Sequence, residues 1–224
     1  MQKIPLLIIS LFLALSLNAQ QFSLEYGKVM SSFDYTNSDG NKLDNLQGTT
    51  DNHIGIGFKM PIRKSSFYFL SGIEYNKYGA EGSDDILGNY YDWKLNYIAV
   101  NLGVGYEFFK GNSFLNIKNS NTEQGFTFFI QIDVAPEFFV QGTQTINNDV
   151  YNLKGVEQFD KPFLSTNGGV GVIYYASKTV SVYAQYMGGM SFSVFKSDAD
   201  TQEELNFITH TISLGFSINL PVRR

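Results

Sequence analysis

Long segments of strictly alternating side chains constrain the fold of this chain more than any other feature. Between residues 97 and 108 every even position is apolar, while most odd positions are small or polar, and residues 211–220 repeat this alternation. A period of two is that of a β-strand, whose successive side chains point to opposite faces. Segments of this kind run for 10–15 residues. Ordinary soluble strands have roughly 5 to 6 residues, whereas about 9 to 11 cross a membrane.

The face opposite the apolar one separates a soluble sandwich from a membrane barrel. It is mostly Gly, Ser, Asn and Ala with isolated charges, and lacks the abundant Lys, Glu, Thr and Arg of a solvated exterior. Small polar residues suit the narrow lumen of a barrel, and a sheet that spans lipid must close because open edges leave backbone groups unpaired. With the more ambiguous first segment, Phe22 to Thr36, eight segments are found. The sequence therefore predicts an all-β fold, an eight-stranded antiparallel up-and-down transmembrane β-barrel.

The first twenty residues form a separate unit. Lys3 is followed by an apolar run from Ile4 to Leu15, interrupted only by Ser10, and then by mostly small and polar residues up to Ala19. This order is typical of a secretory signal peptide, and the run is shorter than the roughly 20 residues of a spanning helix. We expect a signal peptide at residues 1–19 and an outer-membrane β-barrel domain at residues 20–224.

Composition removes several classes of function. The 224 residues include no cysteine and only two histidines, which excludes thiolate nucleophiles, thiolate zinc sites and disulfides. A net charge of −5 without a Lys/Arg-rich run lacks the electrostatic footprint of nucleic-acid binding. We expect no nucleic-acid partner, no cofactor, no metal and no catalytic residue.

The links between the strands alternate in length and charge. Those near 37–52, 79–92, 142–161 and 196–206 are long and hold 14 acidic residues against four lysines. The remaining links and the C-terminal tail hold seven basic residues against Glu123. Outer-membrane barrels have long outer loops and short periplasmic turns, so the acidic links are predicted to lie outside the cell.

Three segments resemble strands of a known family. They are YIAVNLGVGYEF (Tyr97 to Phe108), QYMGGMSF (Gln185 to Phe192) and HTISLGFSINL (His210 to Leu220). They are similar to strands of the small outer-membrane β-barrel family common in Bacteroidota, whose architecture is like that of the OmpA and OmpX barrels. The resemblance implies an eight-stranded barrel and no uniform activity. Some members, such as the PorT-type proteins, are linked to secretion and gliding.

The parity of each strand predicts which side chains face the lumen and which face lipid. An ion network is expected in the lumen, with Lys59 and Glu74 paired across the first inner hairpin and Lys28 supplying a second positive charge. Its predicted members are Lys28, Lys59, Glu74, Glu107, Asp133 and Glu137. The residues predicted to face lipid are Ile98, Val100, Leu102, Val104, Ile212, Leu214, Phe216 and Ile218.

The function predicted from these features is structural, adhesive or surface-interacting, carried by the extracellular loops. Expected partners are outer-membrane lipid, lipopolysaccharide and the barrel-assembly machinery, and the surface partner stays open. Rival hypotheses are a barrel associated with secretion or gliding, a transport barrel and a soluble lipocalin-like ligand carrier. A lipid-modifying barrel enzyme is a further rival, with Ser32, Asp34 and His53 as its candidate constellation at the outer rim.

Overall fold

The computed structural model describes residues 21–36, 45–62, 65–83, 88–108, 125–193 and 204–220. The predicted signal peptide lies outside these ranges and stays a prediction. The described chain contains nine strands and one short helix. They are β1 (Gln21–Thr36), β2 (Gln47–Pro61), β3 (Phe67–Ser83), β4 (Tyr90–Glu107), β5 (Gly125–Ile146), β6 (Asp149–Asn152), α1 (Glu157–Asp160), β7 (Phe163–Tyr175), β8 (Val180–Ser193) and β9 (Glu204–Asn219).

The strands form one antiparallel sheet that closes on itself. Its order is β4-β3-β2-β1-β9-β8-β7-β5-β6, and a further pairing of β4 with β5 completes the ring. The first and last strands pair along their whole length, from Gln21 opposite Asn219 to Thr36 opposite Glu204. Eight long strands make the wall, which confirms the predicted barrel. The additional strand, β6, pairs only with the far end of β5.

The outer face of the wall is an apolar belt. Large hydrophobic side chains are exposed there on every long strand, and Leu214 is the most exposed of them at 68%. The structure places the side chains of seven residues predicted to face lipid among these exposed ones, and leaves Ile218 partly covered. An aqueous surface does not tolerate an apolar patch of this extent, so the belt excludes a soluble carrier. Contact of these particular residues with lipid stays a prediction.

The lumen is filled by apolar and aromatic side chains in the half near the long links, here called the long-loop end. This apolar plug is centred on Phe207, which is fully buried and packs against Phe33 and Phe163 with ring centroids 4.9 Å apart in both pairs. Its buried members are Val29, Phe33, Tyr78, Ala80, Trp93, Leu95, Tyr97, Leu153, Phe159, Phe163, Leu205 and Phe207. Leu153 and Phe159 come from the link between β5 and β7, so that link closes over the barrel.

Glycines on the inner face make room for the aromatic rings that fill the other half of the lumen. The ring of Tyr68 lies over Gly105, and that of Tyr183 lies over Gly215, so closely that a Cβ at either glycine would overlap the ring. The glycines of the alternating pattern therefore have a packing role. Among the described residues, no helix has the length and hydropathy needed to cross a bilayer.

Candidate functional site in the barrel lumen

A polar cavity of about 90 Å³ lies below the apolar plug, at the middle of the barrel. Three adjacent strands bring Glu25 of β1, His53 of β2 and Glu74 of β3 to its wall. In the register of these strands, Gly55 stands between the two glutamates, opposite Glu25 on one side and Glu74 on the other. The donor atoms of the three side chains all lie within 4.8 Å of one another. They are the ligand types from which metal centres are built.

His53 is the centre of this cluster. Its Nε2 lies 2.8 Å from Glu25 Oε1, and its Nδ1 lies 2.6 Å from Asn76 Oδ1. With oxygen acceptors at both ring nitrogens, the imidazole donates a hydrogen bond from each nitrogen when it is protonated. His53 is only 4% exposed, so the ring is held by these contacts away from bulk water.

The carboxylates of β5 line the opposite wall of the cavity. Asp133 accepts a hydrogen bond of 2.8 Å from Asn167 Nδ2. Glu137 accepts hydrogen bonds at Oε1 from the hydroxyls of Ser165 and Tyr78. Its other oxygen, Oε2, is buried without a hydrogen-bond partner. Both side chains face the lumen, as the parity of β5 predicts.

Lys59 lies near the short-turn end of the lumen, and its ion pair differs from the predicted one. Its Nζ is 3.6 Å from Glu107 Oε1 and lies over the ring of Tyr68, 4.2 Å from the centroid. The predicted pairing with Glu74 is wrong because Lys59 stands opposite Leu70 in the register of β2 and β3, four residues from Glu74. Glu74 instead accepts a 2.7 Å hydrogen bond from Asn101 Nδ2.

Lys28 does not belong to the lumen network, which corrects a second expectation. Its side chain is exposed on the outer face, where Nζ donates a 2.8 Å hydrogen bond to Asn52 Oδ1. In β1 the odd-numbered residues point inward, so Lys28 and Asp34 lie outside the barrel, while His53 lies inside. The enzyme constellation proposed from the sequence, which also included Ser32, is therefore not assembled.

Glu25 is the member of this cluster that the sequence analysis did not single out. Besides His53, it holds the hydroxyl of Tyr183 and the amide of Gln185, each 2.9 Å from Oε2. A signal was present, because Leu24 and Tyr26 are apolar neighbours on the outer face and Glu25 alternates with them. This signal was obscured by Val29, which also faces inward. Val29 belongs to the apolar plug, so from this residue on the inner face of β1 is mostly apolar instead of polar.

Similar solved structures agree with this architecture. The chain is similar to the outer membrane protein OprG from Pseudomonas aeruginosa, with a TM-score of 0.51 and 13% identity over 92% of this chain and 98% of that chain. The chain has the fold of a small outer-membrane β-barrel protein. The closed ring and the apolar belt fit this fold.

Other similar structures include the Neisserial surface protein A, with a TM-score of 0.47 and 12% identity over 89% of this chain and 97% of that one. The outer membrane protease OmpT from Escherichia coli has a TM-score of 0.39 and 8% identity over 92% and 98%. Comparison with protein-family models and with curated protein sequences gives no match. A fold does not imply an activity, so the role of the barrel has to be argued from its own residues.

Proposed function

We propose that the barrel has a structural and adhesive role at the cell surface, carried by a hairpin that rises from the long-loop end. Strand β5 pairs with β7 only as far as Glu137 opposite Phe163, and residues 138–146 continue beyond that point. There β5 pairs with β6, from Thr143 opposite Asn152 to Ile146 opposite Asp149. This β5–β6 hairpin carries Val150 and Tyr151, which are 65% and 50% exposed.

The hairpin is held in place by its turn. Asn147 has a φ of 56°, a left-handed conformation that asparagine adopts more readily than most residues. Its backbone nitrogen donates to the Tyr90 carbonyl oxygen at 2.8 Å, and its Oδ1 accepts from the Tyr90 nitrogen at 3.1 Å. An exposed apolar pair on such an anchored hairpin loses little conformational entropy on binding, which favours a contact role.

The packing of the lumen also favours a surface role over transport. The apolar plug fills the long-loop end of the lumen. The link that carries Phe159 is tied to the wall there, because the Phe159 carbonyl oxygen accepts a 3.1 Å hydrogen bond from the Tyr97 hydroxyl. Eight-stranded barrels have an interior just wide enough for side chains. We expect purified barrels in planar bilayers to give no steady conductance. Regular single-channel steps would support transport instead.

The adhesive role is tested on cells that display the protein in their outer membrane. Cells with the wild-type barrel are expected to aggregate in suspension and to adhere to polystyrene more than cells without it. Val150→Ser combined with Tyr151→Ser should remove most of this gain. Val180→Ser, an outward-facing change beside a short turn, is the control and should keep it. Surface labelling verifies equal display, and equal adhesion of the double variant would contradict the proposal.

A further inference from the structure

The cluster of Glu25, His53 and Glu74 has the construction of a metal centre. A glycine makes the room for it, because a Cβ at Gly55 would lie 2.9 Å from both Cγ and Oε1 of Glu25. No other residue type at this position would leave the Glu25 carboxylate where it is. Three strands thus place two carboxylates and one imidazole around a common point with their donor atoms within 4.8 Å.

Each of the three side chains is also oriented by a second partner. Asn76 Oδ1 accepts from His53 Nδ1 at 2.6 Å, which keeps a proton on Nδ1 and leaves Nε2, which faces Glu25, as the nitrogen that binds a metal once its own proton has left. The Tyr183 hydroxyl and the Gln185 amide hold Glu25 through Oε2 and leave Oε1 facing the imidazole. Outer hydrogen bonds of this kind fix ligands in protein metal sites.

Glu74 is oriented in the same way. Its Oε1 accepts a 2.7 Å hydrogen bond from Asn101 Nδ2, so that the carboxylate is held against the wall of the cavity beside His53. The imidazole and both carboxylates therefore meet the cavity in fixed orientations, as a preorganised ligand set requires.

The charges that line the cavity point to a cation as its occupant. Four carboxylates line it, namely Glu25, Glu74, Asp133 and Glu137, together with His53 and Lys59. The Lys59 ammonium also pairs with Glu107, which lies outside the cavity. Carboxylates enclosed in a barrel are costly unless positive charge compensates them. Glu137 is only 3% exposed, and its Oε2 has no hydrogen-bond partner on the cavity wall.

We propose that Glu25, His53 and Glu74 bind a divalent transition-metal ion, for which Zn²⁺ is the test ion. An imidazole favours such ions over Mg²⁺ and Ca²⁺, and carboxylates complete the set. The ion takes the place of the proton between His53 Nε2 and Glu25 Oε1, and this proton leaves to the buffer. Three protein ligands leave a fourth position of a tetrahedral ion to a water molecule in the cavity.

Zn²⁺ binding is measured on the full barrel, refolded in detergent micelles, stripped with a chelator and titrated in a calorimeter. One Zn²⁺ per chain is expected. His53→Gln and Glu74→Gln should each weaken binding at least 100-fold, and Asn76→Ala should weaken it about 10 to 100-fold through the loss of the ring's orienting partner. His210→Gln is the matched control, since His210 is the other histidine of the chain and lies on the outer face.

A second measurement keeps the proposal falsifiable if a variant refolds poorly. Zn²⁺ in excess should raise the unfolding temperature of the wild type and of His210→Gln, but not that of His53→Gln, because a ligand stabilises the state that binds it. The proposal is overturned if the wild type takes up no Zn²⁺. It is also overturned if His53→Gln binds as tightly as the wild type, or if His210→Gln loses binding to the same extent.

Discussion

Truncation of Phe207 tests whether the apolar plug stabilises the barrel. Phe207 is fully buried, and its ring packs against those of Phe33, Tyr78, Tyr97 and Phe163 with centroids 4.9 to 5.8 Å away. Replacing a buried phenylalanine by alanine costs about 3 to 5 kcal/mol of unfolding free energy, and each aromatic pair contributes about 0.5 to 1.5 kcal/mol beyond its buried area. With four rings around it, Phe207→Ala should lie in the upper half of the first range, at about 4 to 5 kcal/mol.

Guanidinium unfolding in lipid vesicles measures this loss, with tryptophan fluorescence as the signal. The chain has a single tryptophan, Trp93, which belongs to the plug and lies 6.2 Å from the ring of Phe33 between centroids. Its emission therefore reports on the plug directly, while circular dichroism reports on the strands. If the plug of Phe207→Ala loosens before the strands unfold, the fluorescence transition should occur at a lower guanidinium concentration than the circular-dichroism transition.

Phe216→Ala is the matched control, because Phe216 lies in the apolar belt and is 39% exposed. It should cost at most about 2 kcal/mol, since a lipid-facing side chain leaves no closed cavity when it is shortened. Equal losses for the two variants would refute the assignment of the plug as the main apolar core. A loss below about 1 kcal/mol for Phe207→Ala would refute it as well.

Three further predictions concern the outer face, the lumen ion pair and the orientation. Leu214→Arg should lower the unfolding free energy by about 2 to 4 kcal/mol in vesicles, as an arginine near the bilayer midplane does, and a loss below that of Leu214→Ala would contradict the lipid-facing belt. Lys59→Met should lower the unfolding free energy by about 3 kcal/mol because it removes the ammonium beside buried Glu107, whereas Lys28→Met should lower it by under 1 kcal/mol. The reverse order would mean that Lys28, and not Lys59, is paired inside the lumen. Trypsin added to intact cells should cut after Lys154 and spare Lys178. The opposite result would mean that the short turns, and not the long links, lie outside the cell.

Much of the wall could be predicted from the sequence because the period of two is a local property. Each strand carries its own alternation, so the number of long strands, their antiparallel order and the outward position of residues such as Leu102 follow without tertiary information. The lumen side of Glu107, Asp133 and Glu137 follows in the same way. The extra strand β6 was not predicted, because four residues are too few to show a period.

In β1 the alternation defines two faces, but each face mixes polar and apolar residues, so the pattern does not say which face points inward. In β1 the inner face changes from polar Glu25 to apolar Val29 and Phe33, so Lys28 was placed on the wrong side from the sequence. Only the closed barrel shows that Val29 and Phe33 point into the apolar plug, and that Lys28 therefore points outward.

Pairing within the lumen was also decided by the tertiary structure. Sequence analysis determined that Lys59, Glu74 and Glu107 belong to the inner face, but an ion pair depends on register and on distances across the lumen. The register of β2 with β3 separates Lys59 from Glu74, and Lys59 instead reaches Glu107 of β4, on the far side of β3. The meeting of Glu25 with His53 has the same origin, because their contact joins two strands whose relative shift no local pattern encodes.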